Sequence, residues 1–227
     1  MTQTAKAHSK NNQMTINIFR EQLVAGINQL ELSINDSQLD LLLAYHQLLV
    51  KWNKAYNLTA IRDPEKMIGR HLLDSLSIAK YISGDRFIDV GSGAGLPGII
   101  LAIAYPEKSF DLLDSNGKKT RFLFQVKTEL GLENVTVHHC RVESIDPVER
   151  YDGVLSRAFA TLADMINGSD QLLTENGSFY AMKGVFPEDE IEQLSEMEKS
   201  YKVESSYSLC VPGETGERHL IVIRKQK

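Results

Sequence analysis

The sequence predicts an α/β fold: a mostly parallel, doubly wound sheet of seven strands with an antiparallel last hairpin, set behind an N-terminal helical cap. Three observations predict it. Short apolar runs alternate with helical stretches from residue 86 onward, the pattern of strands separated by crossover helices. The preceding residues show only helical periodicity. The loop "GSGAGLPG" follows the first apolar run directly, and glycine, lacking Cβ, lets a backbone approach a ligand closely and tolerates positive φ.

Residues 1–13 are polar and aperiodic and read as a disordered tail. Residues 14–82 form the expected helical cap. A helix is expected over 16–30 and a stronger one over 36–53, where Leu39, Leu42, Leu43, His46, Leu49 and Val50 recur at helical spacing. "RDPEKMIGRHLLDSLSIAKYI" opens with a start signal: Asp63 can cap, Pro64 suits the first helical position, and Glu65 favours the helix dipole. Ile68, Leu72, Leu76 and Ala79 make its buried stripe, with Arg70, His71 and Asp74 beside it. One helical turn separates His71 from Asp74, so the two are expected to form a structural pair.

Residues 83–227 are the expected α/β domain. Its strands are expected at 87–90, 109–114, 135–140, 151–156 and 177–183, with helices at 96–104, 117–130, 161–173 and 191–199. "VESSYSLCV" and "RHLIVIR" are joined by the turn "PGETG" with no helix between them, which makes them antiparallel.

The chain has 227 residues and two cysteines, Cys140 and Cys210, without metal or disulfide spacing, as in a reducing cytoplasm. No signal peptide and no long apolar run is present, so neither secretion nor a membrane span is expected. The net charge of −5 disfavours nucleic acid as a partner, but the charge is uneven. Residues 51–71 carry Lys51, Lys54, Arg62, Lys66 and Arg70 against Asp63 and Glu65, and Lys118, Lys119, Arg121 and Lys127 form a second basic cluster. A local basic face on an acidic protein can bind a phosphate backbone, or it can be a solvated helix face.

"GAGLPG" matches the G-x-G-x-x-G pattern of dinucleotide sites. Two features weigh against a pyrophosphate. Pro97 sits where the helix should offer N–H groups, and Asp89 repels an anion while suiting a cationic ligand. "DVGSGAG" fits S-adenosylmethionine better, a nucleoside with a sulfonium, an ammonium and no phosphate. Asp114, closing the second strand, can accept both ribose hydroxyls. Ligands of open α/β sheets sit outside the carboxyl ends of the strands. Those ends carry residues 91–98, then Asp114, then Arg141, Val142 and Glu143, then Arg157, then Lys183. Backbone N–H groups of Val142 and Glu143 can meet an adenine, and Arg157 follows the fourth strand, where transfer chemistry is expected.

No carboxylate or histidine follows that strand as a base. A base-free site suits an acceptor with a lone pair and no proton to lose, such as guanine N7, and catalysis by alignment then suffices. Three other readings stay open on the residues alone: a NAD-dependent oxidoreductase, a small-molecule methyltransferase, and an RNA-binding assembly factor.

"KWNKAYNLTAIRDPEKMIGRHLLDSL", "FIDVGSGAGLPG", "LLDSNGKKTRFL", "RVE", "YDGVLSRAFA" and "YAMKG" resemble, in order and spacing, the bacterial 16S ribosomal RNA guanine-N7 methyltransferase family RsmG, also called GidB. The likeness runs from about residue 39 to 224. It implies a Rossmann-like class I methyltransferase fold with a helical cap; from the sequence, the chain is expected to act in the cytoplasm as a monomer. It implies methyl transfer from S-adenosylmethionine to N7 of guanine 527 in 16S rRNA, as naked RNA or in the small ribosomal subunit. The cofactor positions are then Gly91, Gly93, Leu96, Asp114, Val142, Glu143 and Arg157. Asn57, Arg141, Arg157 and Lys183 fall on the acceptor side as catalytic candidates. Arg70, His71, Lys118, Lys119 and Arg121 are the RNA-contact candidates, and no metal is expected.

Overall fold

A computed structural model describes residues 3–157, 159, 161–194 and 201–226. The chain opens with α1 (Gln3–Gln29) and α2 (Asp36–Tyr56). The helix α1 starts well before residue 16, where the sequence reading places a disordered tail. Polar composition argues against a core position, not against helicity, and residues 3–13 contain no glycine or proline.

At the next helix the N-terminal signal is realised. Asp63 accepts the N–H of Glu65, and Pro64 begins α3 (Pro64–Met67). The helix does not continue as α. Ile68–Leu73 is π-helical, followed by α4 (Asp74–Leu76). A π turn bonds i to i+5 and winds wider, so residues three apart leave the common face.

The sheet comprises β1 (Arg86–Val90), β2 (Ser109–Leu113), β3 (Val135–His138), β4 (Tyr151–Ser156), β5 (Leu173–Lys183), β6 (Tyr201–Ser208) and β7 (His219–Lys225). Its order is β3-β2-β1-β4-β5-β7-β6. The first five strands are parallel, and β7 runs antiparallel to both β5 and β6. Between them lie α5 (Gly98–Ala104), α6 (Gly117–Leu130), α7 (Leu162–Ser169) and α8 (Glu188–Leu194). Residues 195–199 of the expected acidic helix lie outside the described residues.

Side chains alternate across each strand and fill two cores. Phe87, Phe110, Leu155, Leu220 and Val222 face α5 and α6, and the N-terminal helices join that same core. Ile88, Val154, Phe179, Ile221 and Ile223 face α7 and α8. The order reverses beside β1, with β2 on one side and β4 on the other. That switch point is where an open sheet leaves a crevice at its carboxyl edge.

Gln38 fixes the helical cap to the sheet domain. It completes a capping box with Asn35, and its Nε2 donates to the carbonyls of Ile103 (3.1 Å) and Ala104 (2.9 Å) at the end of α5. Gln38→Ala should lose about 1–3 kcal/mol of stability. A thermal melt should show a fall of roughly 3–8 °C, and an unchanged midpoint would show that these bonds add nothing to the joint.

Candidate functional site

The crevice is built around the turn after β1. Gly91 and Gly93 have φ of +73° and +61°, values an L-residue with a side chain rarely adopts. The Gly91 and Ser92 N–H groups both donate to the carbonyl of Leu113 at the end of β2 (2.8 and 3.1 Å). The Gly93 N–H donates to Asp114 Oδ2 (2.9 Å), and the Gly98 N–H, opening α5, donates to Asp89 Oδ2 (2.9 Å). Tyr45 of α2 reaches in from the cap and donates its hydroxyl to the Ala94 carbonyl (2.7 Å).

A pyrophosphate site needs N–H groups free at the helix start. Here carboxylates hold those of Gly93 and Gly98. Asp89 is fully buried under the loop. It therefore braces α5, where the sequence reading has it facing a cationic ligand. Burial pushes its carboxyl up to about 7, against the Gly98 N–H and the charge of Arg157, which favour the ionised form. Among the described residues, its Oδ1 meets no hydrogen-bond partner within bonding distance.

Two depressions meet at Gly91. The larger, about 300 Å³, is lined by Asp114, Ser115, Cys140, Arg141, Val142, Glu143 and Phe159, at the lower end of ligand-sized pockets. Asp114 accepts Gly93 N–H on one oxygen and Asn116 N–H on the other (2.8 Å). A carboxylate offers about four acceptor sites, so two remain. Asn116, not Asp114, caps α6. The Ser144 N–H closes a short 3₁₀ turn on the Arg141 carbonyl, a bond that leaves the Val142 and Glu143 N–H groups without a partner inside the turn. The smaller depression, about 140 Å³, is lined by Leu58, Thr59, Ser92, Gly93, Leu96 and Arg157. These residues fit a nucleoside with a compact charged tail. An ideal Cβ on Gly93 would meet nothing closer than 3.9 Å, which leaves room for close approach at that glycine.

Arg157 is held from behind. Asp74, almost fully buried, accepts from Arg157 Nη1 (3.2 Å) and from Arg218 Nε (3.0 Å). One carboxylate thus fixes two guanidiniums and leaves net positive charge at the cleft edge. The expected pair of His71 with Asp74 is not formed, because the π turn rotates them apart. His71 is bonded instead to Thr59 Oγ1 (2.9 Å) and the Arg70 carbonyl (3.0 Å).

Other candidates are placed differently from expectation. His71 is buried, not RNA-facing. Arg70 is exposed but pairs with Glu214 (3.0 Å). Lys119 lies 3.7 Å from Asp114, so its charge is engaged at the loop, while Lys118 and Arg121 remain exposed on α6. Lys183 is gripped by both oxygens of Glu190 (3.0 and 2.8 Å), and Glu190 also accepts the Leu162 N–H (2.7 Å). It is a clamp between β5, α7 and α8 and lines neither depression. Asn57 caps α2 in a left-handed conformation (φ +50°) and lines a separate pocket. Sequence reasoning does not find Phe159, Thr59 and Arg218, and it gives Asp74 a different partner. Phe159 stands in "SRAFA", whereas the partners of Asp74 lie 83 and 144 residues away and leave no local signal.

The family model for GidB, rRNA small subunit methyltransferase G, matches residues 38–221. The chain belongs to this family. Ribosomal RNA small subunit methyltransferase G of Stutzerimonas stutzeri (strain A1501) is 51% identical over 207 residues, 90% of this chain and 95% of that protein. The protein of the same name from Saccharophagus degradans (strain 2-40) is 52% identical over 203 residues, 89% and 90% of the two chains. Among solved structures, magnesium protoporphyrin IX methyltransferase from Synechocystis PCC 6803, determined with bound SAM, matches with a TM-score of 0.57 at 13% identity, covering 80% of this chain and 97% of that one. Ribosomal protein L11 methylase from Lactobacillus delbrueckii subsp. bulgaricus gives 0.52 at 19%, covering 68% and 77%. The GidB chain therefore has the Rossmann-like class I methyltransferase fold. Among its described residues, no helix is long and apolar enough to cross a membrane.

In this GidB chain, burial and the charge of Arg157 push His71 down to about 4, partly offset by its bond to the Arg70 carbonyl. Its folded value lies below the ordinary 6.5, so the native state binds fewer protons than the unfolded state between the two values. The neutral ring then contributes stability that is complete above pH 6.5 and is lost as pH falls towards 4, by at most about 3 kcal/mol. In urea titrations the advantage of the wild type over His71→Asn should shrink across that window. The contribution of Asp89, opposite in sign, is common to both proteins and cancels. A pH-independent difference would show that the ring is not held neutral.

Proposed function

We propose that this chain transfers a methyl group from S-adenosylmethionine to N7 of a guanine in 16S rRNA, guanine 527, in the cytoplasm and as a monomer. One observation carries the reading. The Gly93 and Gly98 N–H groups of the glycine loop are already bound to Asp114 and Asp89, beside a cleft with acceptor capacity for a ribose. That arrangement favours a phosphate-free nucleoside over a dinucleotide.

S-adenosylmethionine supplies, when bound, a methyl carbon made electrophilic by its sulfonium. Gly91 and Gly93 let the backbone come close. Asp114 accepts the ribose hydroxyls, and the Val142 and Glu143 N–H groups meet the adenine. Arg157, fixed by Asp74, edges the tail side. Arg141 lines the nucleoside side. Guanine N7 brings its own lone pair and loses no proton, so the chain need only align it.

Several titratable groups around the cleft are already engaged, although Glu143 and Cys140 also line it. His71 has both ring nitrogens engaged, Asp74 holds two arginines, and Glu190 holds Lys183. The family membership supports rRNA of the small subunit as the substrate. The guanine and its N7 rest on the resemblance of the motifs and on the lack of a carboxylate or histidine directly after β4.

Labelled S-adenosylmethionine should deliver methyl to unmodified small-subunit RNA, naked or in particles, with one site of chemical cleavage at N7-methylguanine. Incorporation elsewhere, or only into a metabolite, would remove the proposal. Gly91→Asp should abolish cofactor binding in a folded protein, because the side chain enters the cleft at a positive φ. Asp114→Asn should raise the KM for S-adenosylmethionine about tenfold or more through lost ribose bonds, with RNA affinity changed less than twofold. The reverse order of effects would assign Asp114 to RNA.

A further inference from the structure

A third concavity lies at the C-terminal end of α2. It holds about 230 Å³ and is walled by Val50, Asn53, Lys54, Asn57 and Arg62. We propose that it binds a phosphodiester of the RNA strand next to the methylated guanine. The proposal rests on the rRNA reading above and assigns Lys54 and Arg62 as the charged ligands.

The wall carries two cations, two carboxamides and no carboxylate, in a chain of net charge −5. Arg70, Arg86, Arg157, Arg218 and Arg224 each meet a carboxylate at 3.2 Å or closer. Among the described residues, Arg62 meets only the Asn57 carboxamide oxygen, at 3.5 Å, the limit of a hydrogen bond. A guanidinium fork beside an ammonium suits a tetrahedral anion, the first by paired N–H groups and the second as a point charge.

The pocket is rigid before any ligand arrives. Buried Asn53 donates to the Ile61 carbonyl (3.0 Å) and accepts the Thr59 N–H (2.8 Å). The Thr59 hydroxyl accepts the Ile61 N–H (3.2 Å) and bonds His71 (2.9 Å). The loop between α2 and α3 is thus set by side chains under it, which lowers the ordering cost of binding. The same loop serves both sites. Asn57 and Arg62 face the pocket, while Leu58 and Thr59 line the small depression beside Gly91 and Arg157. Asn57 and Thr59 are two residues apart on this loop, their Cα atoms at most about 7 Å apart. A phosphate seated here would lie against the same loop that walls the cleft.

Lys54 also stands in the last turn of α2, where a cation favours the helix dipole. A dipole role predicts a loss of stability alone, whereas phosphate binding predicts a change in RNA affinity and its salt dependence. The test is K54Q/R62Q, with binding to unmethylated 16S rRNA, naked and in particles, followed across salt concentrations. The expected result is a Kd raised about tenfold or more and a log Kd against log salt slope shallower by about 1–2, with S-adenosylmethionine affinity within twofold of wild type. An unchanged Kd and slope in the folded variant overturns the proposal. If the double variant unfolds, K54Q and R62Q are measured singly and K54R is expected to keep the wild-type slope. Inorganic phosphate is the control ligand: if it raises the melting midpoint of wild type but not of K54Q/R62Q while RNA binding is equal in both, the pocket takes the free anion and the proposal fails. A wild type that neither binds nor methylates rRNA overturns the rRNA reading itself, and this pocket assignment with it.

Discussion

Two carboxylates hold the glycine loop to the sheet, and the site depends on that hold. Asp89, the penultimate residue of β1, takes the Gly98 N–H, and Asp114, just past β2, takes the Gly93 N–H. One carboxyl hydrogen bond at each end of the six-residue turn from Gly93 to Gly98 leaves it little freedom. The turn is therefore shaped before a ligand binds. The N–H groups of Gly91, Ser92, Gly93 and Gly98 are already used, so the loop has the glycine spacing of a phosphate cradle without its chemistry. Burial raises the Asp89 carboxyl and the Gly98 N–H lowers it, so this brace works near the limit of what a buried charge tolerates.

The cap is part of the site rather than an appendage to it. Tyr45 bonds the loop at Ala94, Gln38 bonds the end of α5, and Leu58 and Thr59 form a wall of the small depression. Asp74 crosses the same boundary in the other direction, gathering Arg157 from behind β4 and Arg218 from the turn before β7. A buried carboxylate shared by two guanidiniums satisfies its own charge and passes the excess positive charge outward. That excess lies where an anionic substrate would approach, although the whole chain is acidic.

The His71 network joins these parts. Asn53, Thr59 and His71 link the end of α2, the loop after it and the π turn into one bonded unit. The π turn makes this possible, because it turns His71 inward under the loop and leaves Asp74 to the two arginines. An α-helical register would put both residues on one face and make the pair that the spacing suggests.

The sequence by itself determined the order and type of most elements, the helix start at Asp63 and Pro64, the antiparallel last hairpin and the glycine loop. These are local: a cap, a proline, a period of two or 3.6, and a glycine at positive φ each act within a few residues. It also placed Asp114, Val142, Glu143 and Arg157 on one rim, because the ends of parallel strands share one edge. The tertiary structure alone decided which charges are used and which are free. Lys183 is spent on Glu190, Lys119 on Asp114 and Arg70 on Glu214, while Asn57 and Arg62 open a separate pocket. Whether a charged side chain meets a partner depends on residues brought near by folding, such as Arg218, 144 positions from Asp74. Spacing along the chain carries no information about such a meeting.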